Sequence, residues 1–357
     1  MALQSMQTPA ARIGKMKGEI LKHAIPREVL GLVAETKPMP KNQSDTVVFR
    51  RWLPLNGTAA SPNTFFPTVN SGVDRAQAVA QQYLTSEGIT PNAEALTPQD
   101  ITVTLNEYAV LFGYTKRTAD LYEDDVPGAM KLQTGERLAL VREMVRYGVL
   151  KAGTNHFYGG NGTTRATVNG KLTIKLMRKM VKALDLQHTD KVVEILKPST
   201  QFGTSPIEAS FFVFIHTDLK PDVRDIPGFV PTSKYGSMKP VSPYEFGSVE
   251  EFRIIASPEL VCIQDSGAAV GALGYISTSG SYIDTYQVVV CGRNAWGDIA
   301  LRGSKSIEVY DLKPGQIDKQ DPTGQRGYCG ASTYFAAVLL NPMWCAIAEV
   351  GASVLQD

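Results

Sequence analysis

The pattern of apolar and polar residues predicts a long pair of β-strands in the first third of the chain. Residues 46–55 are predicted as the first strand, which ends at Asn56-Gly57, a pair typical of tight turns. A second run keeps one phase over 101–105 and takes the opposite phase over 108–114, which indicates a β-bulge at 106–107. We interpret the two runs as the legs of one long hairpin. A two-stranded ribbon is marginal in water, so the hairpin requires another protein surface.

Apolar residues at steps of three and four predict two amphipathic helices after the hairpin. Asp124 and Asp125 before Val126-Pro127 mark the start of a long helix, expected over about 127–153. Thr173 is a candidate N-cap of the second helix. This second helix has an apolar face of Met177, Met180, Val181 and Leu184 and a basic face of Lys175, Arg178, Lys179 and Lys182.

The remaining parts of the chain differ in composition and in predicted secondary structure. The first 45 residues are basic and interrupted by Pro26, Pro38 and Pro40, so they are predicted to form an arm, with at most one short helix after Gly14. Beyond about residue 200 the chain is predicted to be mainly sheet. The β-rich runs there are 210–215, 252–255, 285–290, 306–310 and 333–340.

Charge and cysteine content narrow the function classes. The 357 residues include 36 basic and 35 acidic side chains, a balance that argues against a dedicated nucleic-acid binder. The chain has no secretory signal and no run of about 18 apolar residues, so we expect a protein made in a cytoplasm. Its four cysteines are widely spaced and are predicted to be buried free thiols: Cys262, Cys291, Cys329 and Cys345.

The sequence contains only weak signals for catalytic, metal-binding or ligand-binding sites. His216, Asp218, Asp222 and Asp225 could form a metal or acid/base cluster, but a hydrogen-bonded loop is the favoured interpretation. Two glycine-containing segments, 267–274 and 303–306, lack the spacing of dinucleotide and phosphate loops. The basic face of the second helix could touch DNA phosphates, although a solvated face is more common. No catalytic, metal-binding or cofactor-binding residue is therefore assigned.

Four stretches resemble the coat-protein family named after phage N-four, whose members have the Hong Kong 97 capsid fold. They lie in the order expected for that family, although Ala331 and Ser332 stand where a Trp and a Lys are expected. The stretches are residues 101–108 (Ile-Thr-Val-Thr-Leu-Asn-Glu-Tyr) with Phe112-Gly113, residues 216–225 with Pro227-Gly228-Phe229, residues 247–258, and residues 321–327 (Asp-Pro-Thr-Gly-Gln-Arg-Gly) with 333–341.

The resemblance implies an α+β, Hong Kong 97-like fold with four parts. These would be an N-terminal arm, an extended hairpin loop that reaches over a neighbour, a peripheral domain with a long spine helix, and an axial domain around the capsomer centre. The expected boundaries are 1–45 for the arm, 46–118 for the hairpin loop, 119–200 plus 333–357 for the peripheral domain, and 201–332 for the axial domain.

The function implied by the resemblance is that of a major capsid protein, which is not an enzyme. Copies of the chain would form hexamers and pentamers of an icosahedral shell around double-stranded phage DNA, assembled in the bacterial cytoplasm. A separate scaffolding protein, a portal and decoration proteins are the other expected partners. The alternatives are an encapsulin-like nanocompartment shell, a cytosolic enzyme that uses the loop 216–225, and a DNA-binding protein.

Overall fold

A computed structural model shows an α+β protein with two large sheets and a separate two-stranded hairpin. It describes residues 26–39, 44–54, 56–59, 61–66, 74–88, 90, 94–121, 125–196, 204–236, 240–271, 274–301, 307–317 and 321–355. The short helix expected after Gly14 and the glycine-containing segment 303–306 lie outside these residues. Among the helices described, none is both long and apolar enough to cross a membrane.

Strands and helices are interspersed along the described chain, with the following bounds. The strands are β1 Glu35–Met39, β2 Thr46–Trp52, β3 Pro98–Thr104, β4 Asn106–Thr115, β5 His156–Tyr158, β6 Val192–Leu196, β7 Thr204–His216, β8 Phe229–Pro231, β9 Glu245–Val249, β10 Phe252–Ser257, β11 Tyr286–Cys291, β12 Trp296–Leu301, β13 Ile307–Leu312, β14 Arg326–Leu339 and β15 Cys345–Val350. The α-helices are α1 Arg75–Gln82, α2 Lys116–Leu121, α3 Val126–Leu150, α4 Ile174–Leu186 and α5 Lys220–Arg224. Single turns of 3-10 helix cover Leu30–Leu32, Arg165–Thr167, Thr217–Leu219, Thr232–Lys234 and Pro342–Trp344.

The larger sheet, which we call the central sheet, has helices on both faces. Its described strands run in the order β5-β15-β11-β7-β10-β9-β8, and β6 pairs with the start of β7. Helix α4 packs on one face, where Met177 and Met180 are buried against strand residues that include Phe211 and Val213. The end of α3 packs on the other face through Tyr147 and Leu150. Burial on both faces explains the continuous apolar run of β7, because neither side of that strand meets water.

The second sheet, which we call the spine sheet, lies against the long helix α3. Its described strands are β1, β12, β13 and β14, with β4 pairing along the other side of β14. One face meets α3: Arg137 lies 4.4 Å from the centre of the Phe112 ring, and Lys131 forms a 2.5 Å ion pair with Asp311. The 14-residue strand β14 crosses the expected boundary between residues 332 and 333.

Helix starts follow their sequence signals. The long helix expected over about 127–153 runs from Val126 to Leu150, and the side chain of Asp125 accepts a hydrogen bond from the amide of Gly128. Thr173 caps α4 as predicted, because its hydroxyl accepts from the Leu176 amide at 3.3 Å. Each cap satisfies an amide at the first turn that has no partner within its helix.

The N-terminal region corrects one expectation. Residues 26–39 are integrated with the body of the protein, although the whole segment 1–45 was expected to be an arm. Val29 and Leu30 are fully buried against α3, and β1 pairs in parallel with β12 from Glu35 opposite Gly297 onwards. The reason lies in contacts with distant segments: Val29 and Leu30 are buried against α3, and β1 forms an edge of the spine sheet beside β12.

Candidate assembly surfaces

The predicted hairpin exists, and its strands present two different faces. Strands β2 and β3 pair antiparallel from Thr46 opposite Thr104 to Trp52 opposite Pro98. The outer face exposes Val48 and Trp52, at 55% and 57% of their possible surface. Between them Arg50 forms an exposed ion pair with Asp100 across the two strands at 2.7 Å. Two large apolar side chains in open solvent mark this face as a candidate contact surface.

The inner face of the hairpin packs on the chain's own spine sheet. Val47, Phe49 and Ile101 contact a small core around Ile299, Ala336 and Val338 of that sheet. This contact covers the part of the sheet formed by β1, β12 and the second half of β14. The hairpin is therefore rooted in its own subunit before any partner binds.

The hairpin is shorter than expected. The predicted change of phase near residues 106–107 occurs at Leu105, whose amide bonds to the carbonyl of Asp45. Beyond it the chain does not return along β2. Strand β4 pairs instead with β14, with Thr115 opposite Arg326 and Asn106 opposite Phe335. The residues before Leu105 thus pair within the hairpin, whereas residues 106–115 belong to the spine sheet.

The other half of the same sheet face is uncovered in the monomer. Leu111 and Tyr310 both lie opposite Gly330, so with Leu312 and Tyr334 they share the face that points away from α3. Leu111 is 53% exposed, and the other three are between 38% and 46% exposed. The tyrosine hydroxyls are held: Tyr334 donates to Glu107 at 3.2 Å, and Tyr310 is hydrogen-bonded to Ser332 at 2.9 Å. We call Leu111, Tyr310, Leu312 and Tyr334 the open sheet face.

Sequence reasoning missed the open sheet face. The sequence did contain a signal for it. Residues 307–312 do not alternate strictly between apolar and acidic residues, so apolar side chains lie on both faces of this strand. The run was predicted as a strand, but not as an exposed one. Nothing in a single strand's pattern shows that its neighbour β14 is covered on this face only over its second half.

A network of buried charges fixes the N-terminal segment to the helix α3. Glu143, only 1% exposed, accepts hydrogen bonds from the amides of Val29 and Leu30, each at 2.9 Å. Arg146 donates to Asp298 of β12 at 2.8 and 3.0 Å. Burial raises the pKa of both Glu143 and Asp298, and the nearby guanidinium of Arg146 partly opposes that rise. The network joins three elements: the N-terminal segment, α3 and the spine sheet.

The loop that could have formed a metal or acid/base cluster is a hydrogen-bonded structural loop. Asp218 accepts from the hydroxyl of Tyr286 at 2.7 Å, and its amide donates to Nδ1 of His216. Asp222 faces elsewhere, towards Lys171 at 3.2 Å and the amide of Ser353 at 2.9 Å. Asp225 lies 3.9 Å from the same Lys171. Asp218 therefore does not converge with Asp222 and Asp225, which share Lys171, and the part of the chain that the structure describes contains no group of three or more potential metal ligands.

Two other candidate sites lie among the described residues. Gly267 is hydrogen-bonded to Ile283 as part of a β-like loop, not at the start of a helix. On the basic face of α4, Arg178 is paired with Glu250, and Lys179 lies 5.7 Å from the ring centre of Phe157. These pairings leave the face with mixed charge, as a solvated surface would have.

A sequence comparison finds a phage capsid protein among the relatives of this chain. The chain is 21% identical over 268 residues to the major capsid protein of Pseudomonas phage KPP21, a match that covers 70% of this chain and 66% of that protein. The chain therefore spans just under two thirds of its relative's length. No family model matches the sequence. The narrower assignment to the N-four-type coat proteins stays a prediction.

Two solved structures align with nearly the whole chain. A chain from the capsid of Ralstonia phage GP4 matches with a TM-score of 0.65 at 14% identity, covering 98% of this chain and 97% of that one. A chain from the capsid of cyanophage Pam1 matches with a TM-score of 0.61 at 13% identity, covering 99% and 100%. The expected resemblance is thus confirmed: the chain has the Hong Kong 97-like fold of phage capsid proteins and a phage major capsid protein among its homologues.

Proposed function

We propose that the protein is a major capsid subunit, whose copies join into hexamers and pentamers of an icosahedral shell. One observation carries the proposal: the monomer exposes two apolar surfaces of different shape, the outer hairpin face and the open sheet face. A ring of identical subunits needs two such different patches, because each copy meets its two neighbours through opposite sides.

The arrangement of the spine sheet supports a contact between copies. Its own hairpin covers one half of the face that points away from α3, through Phe49 and Ile101. The open half has the same pleated surface and bears Leu111 and Tyr334. A strand pair from a neighbouring copy, with Val48 and Trp52 facing this half, would place apolar side chains against apolar side chains. Each contact is modest, and closure of the ring makes the assembly stable.

The division into capsid domains is part of the proposal. We propose that α3 and the spine sheet form the peripheral domain and that the central sheet with α4 and α5 forms the axial domain. This division keeps the β14 ladder whole, whereas a boundary at 332/333 would cut it. It also assigns α4 to the axial domain, because α4 packs on the central sheet.

The expected partners and location follow from the same role. We infer that the shell encloses double-stranded phage DNA through weak, non-specific contacts, consistent with a net charge of +1. A separate scaffolding protein, a portal and decoration proteins would complete the particle, which would assemble in the bacterial cytoplasm and persist as the virion capsid. A nanocompartment shell would have the same surfaces but would enclose an enzyme instead of a genome.

Electron microscopy tests the proposal most directly. The protein is expressed alone and together with the neighbouring phage genes, and the products are examined by negative staining and sedimentation. We expect capsomer rings or closed shells in at least one of the two preparations. A protein that remains monomeric in both would contradict the capsid function.

Surface variants then test the head-to-tail contact. V48S/W52S alters the hairpin face, L111S/Y334S alters the open sheet face, and Leu355→Ser changes an exposed leucine outside both. We expect each double variant to lose rings and shells while the control keeps them. A mixture of the two double variants retains one intact pair of surfaces, so it should form heterodimers that neither forms alone. Assembly by either double variant alone would contradict this contact.

A further inference from the structure

Two of the four cysteines are neighbours in the core. Cys291, at the end of β11, and Cys345, at the start of β15, lie directly opposite each other in the antiparallel ladder. Their Sγ atoms are 3.6 Å apart. Both side chains are fully buried and both are free thiols, as predicted. Cys329 is also buried and free, and Cys262 is half-buried.

The ladder register places the pair where sulfurs approach most closely. The next pair along is Gly292 opposite Trp344, and the amide of Gly292 donates to the carbonyl of Trp344. Hydrogen-bonded and non-hydrogen-bonded pairs alternate in an antiparallel ladder, so Cys291 and Cys345 form a non-hydrogen-bonded pair. The amide of Ile347 bonds to Asn155 on the far side of β15, which agrees with this alternation.

This position satisfies the backbone requirement of a disulfide. Cα atoms of a non-hydrogen-bonded pair are about 4.5 Å apart, which falls at the short end of the range that disulfides span. Closing the sulfurs to bonding distance takes about 1.5 Å, which small side-chain rotations supply. Cys262 and Cys329 have no cysteine as a ladder partner among the described strands.

The surroundings of the two thiols slow their oxidation. The pair lies in an apolar core with Phe212, Val289 and Trp296. The hydrogen bond with Cys345, followed by burial, raises the pKa of Cys291. A thiol held protonated is a poor nucleophile, and no reagent reaches it in the closed core. Reaction therefore depends on the oxidising power of the solution and on local opening of the β11–β15 end.

We propose that Cys291 and Cys345 form a structural disulfide once the protein folds in, or is transferred to, a thiol-oxidising solution. With a small disulfide such as glutathione disulfide as oxidant, one cysteine thiolate attacks the S–S bond and releases one glutathione thiol. The second cysteine then attacks the mixed disulfide and releases the other. Two protein thiols are oxidised, the glutathione disulfide is reduced to two thiols, and the S–S bond joins the strands.

The bond would close a segment that carries most of the spine sheet. Between Cys291 and Cys345 the chain forms β12, β13 and β14 and then returns to the central sheet. A link across the base of this excursion joins two neighbouring strands of the central sheet, at the point where the chain leaves that sheet for the spine sheet and re-enters it. Because the linked residues are 54 positions apart, the bond removes many conformations of the unfolded chain.

The test uses the full chain prepared with all thiols reduced. One sample is incubated folded with glutathione disulfide, and another is unfolded in urea and refolded in the same oxidant. Intact mass and peptide mapping then identify the linked residues. We expect the loss of two hydrogen atoms and a Cys291–Cys345 peptide, with the refolded sample reacting faster because its core is open at the start. The thermal midpoint should rise by roughly 5 °C or more and return on reduction.

Single variants keep the inference falsifiable. Cys329→Ser should retain the linked peptide and the rise in thermal midpoint, whereas Cys345→Ser should lose both. If Cys345→Ser fails to fold, peptide mapping of the unaltered protein still shows whether Cys291 and Cys345 are linked. Free thiols at 291 and 345 in both oxidised samples, or equal amounts of links to Cys262 or Cys329, would overturn the proposal.

Discussion

The buried ion pair between Arg146 and Asp298 allows the sharpest stability prediction. Both side chains are about 8% exposed, and the guanidinium makes two hydrogen bonds to one carboxylate oxygen. Removal of one partner from a buried pair leaves the other charge without compensation. Arg146→Met should therefore lower the free energy of unfolding by about 3–5 kcal/mol at neutral pH.

The loss should depend on pH in a defined direction. Burial already raises the pKa of Asp298 and Glu143, and removal of Arg146 should raise both further. A carboxyl with a raised folded-state pKa contributes stability that is present below its ordinary pKa of about 4 and is lost as pH rises through the folded value. The variant should therefore be closer to the unaltered protein at about pH 5 than at about pH 7.5.

Urea unfolding of the unassembled subunit, followed by circular dichroism at both pH values, provides the measurement. Arg178→Met is the matched control, because Arg178 forms its ion pair with Glu250 on the exposed side of α4. The control should leave the unfolding free energy unchanged within error. A deficit for Arg146→Met no larger than the control's, or equal at both pH values, would refute the reasoning.

Three further changes test the helix cap, the core and a close backbone approach by the same unfolding assay. Thr173→Ala should cost about 1 kcal/mol by removing the cap on Leu176, and Thr173→Ser should restore most of it. Met180→Ala, at a fully buried position, should cost about 2–5 kcal/mol. A methyl group at Gly170 would lie 2.4 Å from the backbone nitrogen of Gly160, so Gly170→Ala should sharply reduce the yield of folded protein. Unchanged stability in any of these variants would contradict the corresponding contact.

The elements that sequence predicted correctly are those with strong local signals. Helix α4 follows from its spacing and from the cap at Thr173, and the long helix follows from the Asp and Pro residues that open it. The first pairing of the hairpin follows from alternation bounded by a turn. The resemblance supplied the fold as a whole, because the order of four stretches carries information that no single stretch holds.

The features that sequence did not predict depend on contacts between distant segments. Residues 26–39 look like part of an arm because they belong to the basic segment 1–45 and contain Pro26 and Pro38, yet Glu143, more than a hundred positions away, binds the amides of Val29 and Leu30. Strand β4 looks like a continuation of the hairpin because a phase change resembles a bulge. Only the pairing with β14 shows that the chain has moved to another sheet. Local patterns give the faces of a strand but not its neighbour.

The hairpin links folding within one subunit to contact between subunits. Val47 and Phe49 point into the subunit's own sheet, so Val48 and Trp52, which are an odd number of positions away along the strand, must point outwards. A slip of the β2–β3 ladder by one residue would reverse every one of these directions. The packing of the hairpin on its own subunit's sheet therefore determines which apolar side chains are exposed to a neighbouring subunit. Substitutions that loosen Phe49 should weaken assembly as well as the monomer's stability, although Phe49 touches no other copy in the proposed contact.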